Sequence, residues 1–408
     1  MSSLKIRIDK TIEEFQKFID FIEGERPVLS PRLGVIGKKD SYELNQLLYY
    51  KKDARGPYYT QDQYPIIDLM FLLATLGGLY VRANNEKGKL SLVETEAMTS
   101  FRTLNNYEKY VYLLQSYWTK YDFERKLSIQ ITGYVIYNML AVIANSEKGQ
   151  KIVKDEHDQL RTFYSYDANF FHHLRFFGFG EIEPIEGAKG KYEDSVKSFI
   201  PNELGIRSCR FLINQTLELW SDFDYLCHPH EEEEIPQNKN VVNAFDVFKD
   251  ILPGEAVMRT VDPGDGFNRS GVYTFRVSLF KDCWREISMS HRHSLTHLHN
   301  AIQEAFNFDD DHLYAFYIDG TPKTGRPIFC DYIKDHGKTT AEVSLEDMEL
   351  YKGQRLYYIF DFGDGWEFKI EVIDIDRKKP LPLEPVIIGE EGEAPDQDTS
   401  WPIGIRMY

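Results

Sequence analysis

The sequence predicts an α+β protein: a mostly helical N-terminal half with a winged-helix-like unit, then a C-terminal α+β module built on a mixed or antiparallel sheet. Three observations carry that prediction. Apolar residues recur at helical spacing through the first half. Alternation at Tyr273, Phe275, Val277 and Leu279 opens the second. Between them lies a polar, helix-breaking stretch, 229–240, with Pro229, the acidic run 231–234 and Pro236. At 408 residues the chain exceeds what one core usually holds. The expected division is a helical domain at 1–228, an acidic linker and short connector at 229–257, and a module at 258–408.

Along the first half, Phe15, Phe18, Ile19 and Ile22 fall on one face, so 12–22 reads as a short amphipathic helix ended by Gly24. An apolar helix follows over 65–76 and stops at Gly77-Gly78. Strands over 79–82 and 89–93 flank a turn at 84–88, and helices follow over about 95–104 and 107–118. Helix, hairpin, helix is a winged-helix outline, placed at about 62–120. Winged helices often bind DNA, yet this wing carries only Arg82, Lys87 and Lys89 beside Glu86 and Glu94. A structural or protein-docking role is therefore preferred there. Residues 124–225 read as mostly helical, with the Gly-rich aromatic patch Phe176-Phe-Gly-Phe-Gly180 supplying turn geometry. Gly187-Ala-Lys-Gly-Lys191 lacks the spacing of a phosphate loop, and Arg326-Pro327 stands where the P-loop spacing from Gly320 requires Lys and Ser or Thr.

Composition narrows the function classes. Lys and Arg total 48 against 65 Asp and Glu, a formal charge of −17 that repels nucleic acid and anionic membranes at long range. The four cysteines form no CxxC pair, so neither a disulfide framework nor a zinc ribbon is expected. Neither apolar run, 66–80 or 131–144, reaches the roughly 20 residues a bilayer span needs. No signal-like apolar stretch opens the sequence, and a cytoplasmic protein is expected, with no membrane partner.

In the second half, strands are expected at 272–280, 284–289, 313–319 and near 341–345, with a hairpin pairing 355–362 and 367–374 around Gly363-Asp-Gly365. Ser294 suits the N-cap of a helix whose Leu295, Leu298, Ile302 and either Ala305 or Phe306 share a face. The helix Leu295-Thr-His-Leu-His-Asn-Ala-Ile-Gln-Glu-Ala-Phe306, then His312-Leu-Tyr-Ala-Phe316, then Tyr358-Ile-Phe-Asp-Phe-Gly-Asp-Gly-Trp366, together resemble the ordered signature of the plasmid pRiA4b open-reading-frame-three-like family over about 258–396. The resemblance implies an α+β fold and an association with plasmids or insertion elements, with no established activity to carry over. Where that family has a histidine two residues after the tryptophan, this chain has Phe368. Of the family's Cys-Pro-Pro-Glu-Asp tail, Ala394-Pro395-Asp396 is what stands here.

The motif residues His299, His312, Asp361, Asp364 and Trp366 are the candidate site. His293 and His297, with His312 and Asp310, are candidate metal ligands, and Cys227-His-Pro-His230 is a second such patch. The structural alternative packs His299 beside Leu295 and Ile302, ties Asp361 and Asp364 into a turn and buries Trp366 in the core. Asp309-Asp-Asp311 reads as a solvated turn. No nucleophile, base and orienter occur in recognisable order. The leading expectation is a non-catalytic binding or adaptor protein without a cofactor, docking a protein partner. The alternatives are a nucleic-acid-associated accessory of a mobile element and, third, a metal-dependent hydrolase using His293, His297, His312, Asp361 and Asp364.

Overall fold

The structure is a computed structural model that describes residues 3–121, 123, 133–153, 169–186, 196–213, 244–249, 251–252, 257–261, 270–318, 321–323, 325, 327–333 and 338–397. The acidic stretch 229–240, the Cys227 to His230 cluster, the 187–191 segment, Gly320 and Arg326 lie outside the described residues. The chain divides into two compact units. One comprises 1–28, 36–82 and 91–267, the other 29–35, 83–90 and 268–408.

The first unit is helical, as its periodicity predicts. Helix α1 (Ser3–Glu25) is longer than the expected 12–22, because the charged residues before Ile12 are good helix formers and Ile8 continues the buried face of Phe15, Phe18, Ile19 and Ile22. After α2 (Lys38–Leu47), helix α3 (Pro65–Leu76) starts on a proline whose fixed φ suits a first turn, and it is buried on nearly every side. Strands β1 (Tyr80–Asn84) and β2 (Leu90–Glu94) form the expected hairpin, and α4 (Glu96–Arg102) and α5 (Asn106–Lys120) follow. A reciprocal cap starts α5: the Asn105 side chain accepts the Glu108 N–H at 3.0 Å, and the Glu108 carboxylate accepts the Asn105 N–H at 2.9 Å. Glu108 also accepts the Arg259 N–H at 3.0 Å, which pins the end of this unit's chain onto α5.

Helix α6 (Gly133–Asn145) is followed by a small sheet absent from the sequence reading. Its strands β3 (Ile152–Val153), β4 (Gly180–Pro184) and β5 (Val196–Pro201) are antiparallel in the order β3-β5-β4. The aromatic patch ends α7 (Asn169–Phe176), where Gly178 has φ +73°. Asn202 fixes this turn by donating its side-chain N–H to Gly178 O at 2.8 Å while capping α8 (Glu203–Phe211). A short helix, α9 (Ala244–Lys249), packs on α5.

The second unit is one seven-stranded antiparallel sheet with a helix on one face. Strands β6 (Val272–Phe280) and β7 (Cys283–Ser290) precede α10 (Leu295–Phe306). After them come β8 (Tyr314–Tyr317), β9 (Pro327–Phe329), β10 (Arg355–Phe360), β11 (Trp366–Asp376) and β12 (Val386–Glu391). The spatial order is β12-β7-β6-β11-β10-β8-β9. Period-two alternation sends Tyr273, Phe275, Val277, Tyr358, Phe360, Phe368, Ile370 and Val372 to the face under Leu295, Leu298, Ile302 and Phe306. Arg276, Glu367 and Lys369 point the other way and are exposed, and Glu371 beside them is half-buried.

The sheet departs from the expected strands in three places. The strand expected near 341–345 is a single bridge, Ser294 to Ser344, followed by a 3-10 turn at Leu345–Asp347. Its carbonyls serve the start of α10 instead of the sheet, with Val343 O accepting the Leu295 N–H at 2.9 Å and Thr340 O the Thr296 N–H at 3.1 Å. The stretch between β8 and β10 contains the short strand β9, and a further strand, β12, forms one sheet edge where none was expected.

Candidate functional site

Of the four histidines within 291–299, His291, His293, His297 and His299, three use their Nδ1 atoms to hold backbone. His291 Nδ1 accepts the Gly271 N–H at 3.2 Å, and His293 Nδ1 accepts the Ser290 N–H at 3.2 Å. His297 sits at the third position of α10 and accepts the Ser294 N–H at 3.1 Å, the place glutamate or glutamine takes in a capping box. His293 and His297 do face one way, with rings stacked at 5.1 Å. Nε2 of His293 donates to Leu383 O at 2.9 Å, since a carbonyl can only accept. Both nitrogens of His293 are therefore engaged, and a metal would have to displace a backbone hydrogen bond to reach it.

His299 lies deeper in the unit. It shares the inner face of α10 with Gln303, one turn on, and its ring stacks on Tyr314 at 3.6 Å with a 7° tilt. Nε2 is 2.9 Å from Asp310 Oδ1 and Nδ1 is 2.6 Å from the Tyr358 hydroxyl. A carboxylate accepts only, so Nε2 carries the hydrogen and Nδ1 accepts from Tyr358 O–H. Gln303 Nε2 donates in turn to the Tyr358 oxygen at 2.8 Å. Burial lowers the His299 pKa, and Asp310 only partly offsets it. Burial likewise raises Tyr358 well above a normal phenol. The line Gln303, Tyr358, His299, Asp310 has the order of a nucleophile, base and orienter. Its would-be nucleophile is nevertheless fully buried, with its hydroxyl already bonded, so it serves to fix the helix on the sheet.

His312 and Asp361 sit at the β10–β11 turn, and Phe360 neighbours both His312 and His299. The Phe360 ring lies 6.2 Å from the His299 ring and 6.0 Å from the His312 ring. His312 Nε2 is 3.5 Å from Asp361 Oδ2 and 3.6 Å from Asp311 Oδ1, too far for hydrogen bonds. Asp361 adopts φ +53°, and its Oδ1 accepts the Gly363 N–H at 2.8 Å, so this carboxylate organises the β10–β11 turn. Asp364 is exposed on the same turn, while Trp366 is buried against Phe308 with ring centroids 5.1 Å apart. The candidate residues thus fall in three places: a helix cap and clamp, a buried relay, and a turn corner. Among the described residues, no three His, Cys, Asp or Glu side chains are grouped so as to hold a metal ion.

Sequence reasoning passed over Tyr358 and Gln303 as relay members and Tyr314 as the ring stacked on His299. The one local signal was the four-residue spacing of His299 and Gln303, which puts both on one helix face. Phe368, where the family has histidine, is core: its ring lies 5.1 Å from Phe306 and 5.4 Å from Tyr358.

Residues 272–406 match the plasmid pRiA4b ORF-3-like protein family. The pRiA4b-like segment is thus the C-terminal third of the chain, and it contains both the relay and the turn corner. No curated protein matches the chain. A crystal structure of a protein of unknown function, MM3350 from Methanosarcina mazei Go1, is similar at 25% identity, over 32% of this chain and 75% of that one, with a TM-score of 0.28. No described helix is long and apolar enough to cross a membrane.

Proposed function

We propose that this is a non-catalytic binding or adaptor protein whose pRiA4b-like unit docks another protein chain along the ridge formed by residues 381–388. One observation carries the reading. Leu383 is 93% exposed, and Leu381, Val386, Ile387 and Ile388 around it are exposed as well. Isolated surface apolar residues are ordinary, but five within eight residues, on β12 and the loop that enters it, are a density of exposed apolar side chains of the kind that marks interaction sites. The relay favours the same reading, because both ring nitrogens of His299 and the Tyr358 hydroxyl are already bonded inside the fold.

A photoreactive amino acid at position 383, introduced in the native host, tests the proposal. The expected result is a discrete protein adduct after irradiation. Exposed Lys352, on the loop before β10, serves as the control position. Absence of any protein adduct at 383, or equal labelling at 352, overturns the reading.

A further inference from the structure

We infer that the occupant of this ridge is a second copy of the same chain, packed side chain to side chain about a twofold axis. The inference rests on the protein-binding reading above and adds the partner and the geometry.

Backbone pairing is the first mode to consider, because β12 is a sheet edge. It is disfavoured here. The register of β12 shifts between Ile387 and Gly389, and the strand is entered through Pro380, Pro382 and Pro385, which have no N–H to offer. Bulges and prolines are how sheet edges avoid strand addition. What the edge does present is side chains.

The segment carrying them is preformed. Each proline fixes its own φ and restricts the residue before it, here Lys379, Leu381 and Glu384. Within 379–385 only Leu383 escapes both restraints, and its carbonyl is held by His293 Nε2 at 2.9 Å. The most exposed leucine therefore sits on a loop with little conformational freedom to lose on docking, which favours association. The clamp also gives His293 a role that metal binding would contradict.

Charge selects the partner. Arg377, Lys378 and Lys379 precede the ridge, and Glu390 and Glu391 on β12 and Glu393 just past it follow, with exposed Glu384 between the two groups and Glu390 already 3.8 Å from Arg285 of its own chain. Glu391 is held in place by Trp284 Nε1 at 2.7 Å. A ridge basic at one end and acidic at the other is complementary to itself when reversed. A twofold axis through its middle brings the cations of each copy to the carboxylates of the other, the isologous arrangement of most dimers. A foreign partner would need the reversed pattern, whereas a second copy has it already. The net charge of −17 opposes approach at long range, but at physiological salt that repulsion is screened beyond about 8 Å.

Sedimentation velocity on the purified full-length chain decides the matter. The wild type should shift from monomer to dimer as concentration rises to about 100 μM, a range that covers ordinary homodimers. Leu383→Asp should weaken dimerisation at least about tenfold, with Leu383→Ala weaker in the same direction and circular dichroism unchanged. Lys378→Glu with Lys379→Glu should weaken self-association. Mixing that double variant with Glu390→Lys plus Glu393→Lys should restore dimers of mixed composition. A wild type monomeric throughout, or dimers indifferent to Leu383→Asp, overturns the inference. So does a monomer that binds vesicles of anionic phosphatidylserine through the basic end and leucines. A monomeric chain with a heavier, foreign adduct at position 383 overturns the second copy and leaves the protein-binding reading standing. No adduct removes both.

Discussion

His299 and His173 are neutral imidazoles buried inside the protein, and each sets a pH dependence. Burial pushes His173 down to about 3, with His172 adding to the effect, and its Nδ1 pairs with the Tyr117 hydroxyl at 3.0 Å. His299 is lowered in the same direction. Both folded values lie below the roughly 6.5 of an unfolded histidine, so below about pH 6.5 the unfolded chain binds more protons. Stability is then fully present above that pH and falls as pH drops, by up to about 1.4 kcal/mol per pH unit for each group. Urea unfolding at pH 7 and pH 5 should show the loss, and His299→Gln should reduce it. Equal midpoints at the two pH values would contradict the assignment. Tyr358→Phe leaves His299 Nδ1 and the Gln303 amide without a buried partner and should cost about 1–3 kcal/mol at pH 7. A change under about 0.5 kcal/mol would mean the relay does not brace the unit. The candidate residues were visible in the sequence as a density of histidine and aspartate. Their roles were not, because a tautomer is set by partners such as Tyr358 and Leu383 that lie 59 and 90 residues away.

At the scale of elements, what was legible is what is local. Helices α3 and α10 and the β10–β11 hairpin carry their periodicity, cap and turn residues within one short window, and the structure keeps them nearly to the residue. The strands β9 and β12 were missed because a short edge strand buries little and so alternates little; β12 is exposed at five of its six positions. The 341–345 stretch misled for a related reason: its β-like residues are recruited to the start of α10. Two substitutions test these assignments. Ser294→Ala removes the hydroxyl 2.8 Å from His297 Nδ1 and should destabilise the C-terminal unit by about 1 kcal/mol. Gly205→Ala, normally favourable in a helix, should destabilise by about 1–3 kcal/mol or more, because a Cβ there would clash with the Phe179 carbonyl. Thermal unfolding of the two variants checks both. A stabilised Gly205→Ala protein would show that α8 does not pack on the aromatic turn.

Across the whole molecule, composition set limits that still stand beside the fold: an acidic chain, −17 overall, with an α+β C-terminal unit built on one antiparallel sheet. The family resemblance read from three ordered motifs coincides with the matched segment 272–406. Those motifs mark the parts that hold helix to sheet and close the hairpin. The exposed ridge lies outside all three, and its leucines and prolines carry no periodic signal, which is why sequence reasoning could argue for a binding protein without locating the surface. The most direct test of that account is co-purification from the native host of tagged wild type and tagged Leu383→Asp at matched expression. Stoichiometric protein, a second copy or another chain, is expected with the wild type and is expected to be lost from a variant whose unfolding midpoint is unchanged. Recovery of the same protein with Leu383→Asp, or of none with the wild type, would contradict it.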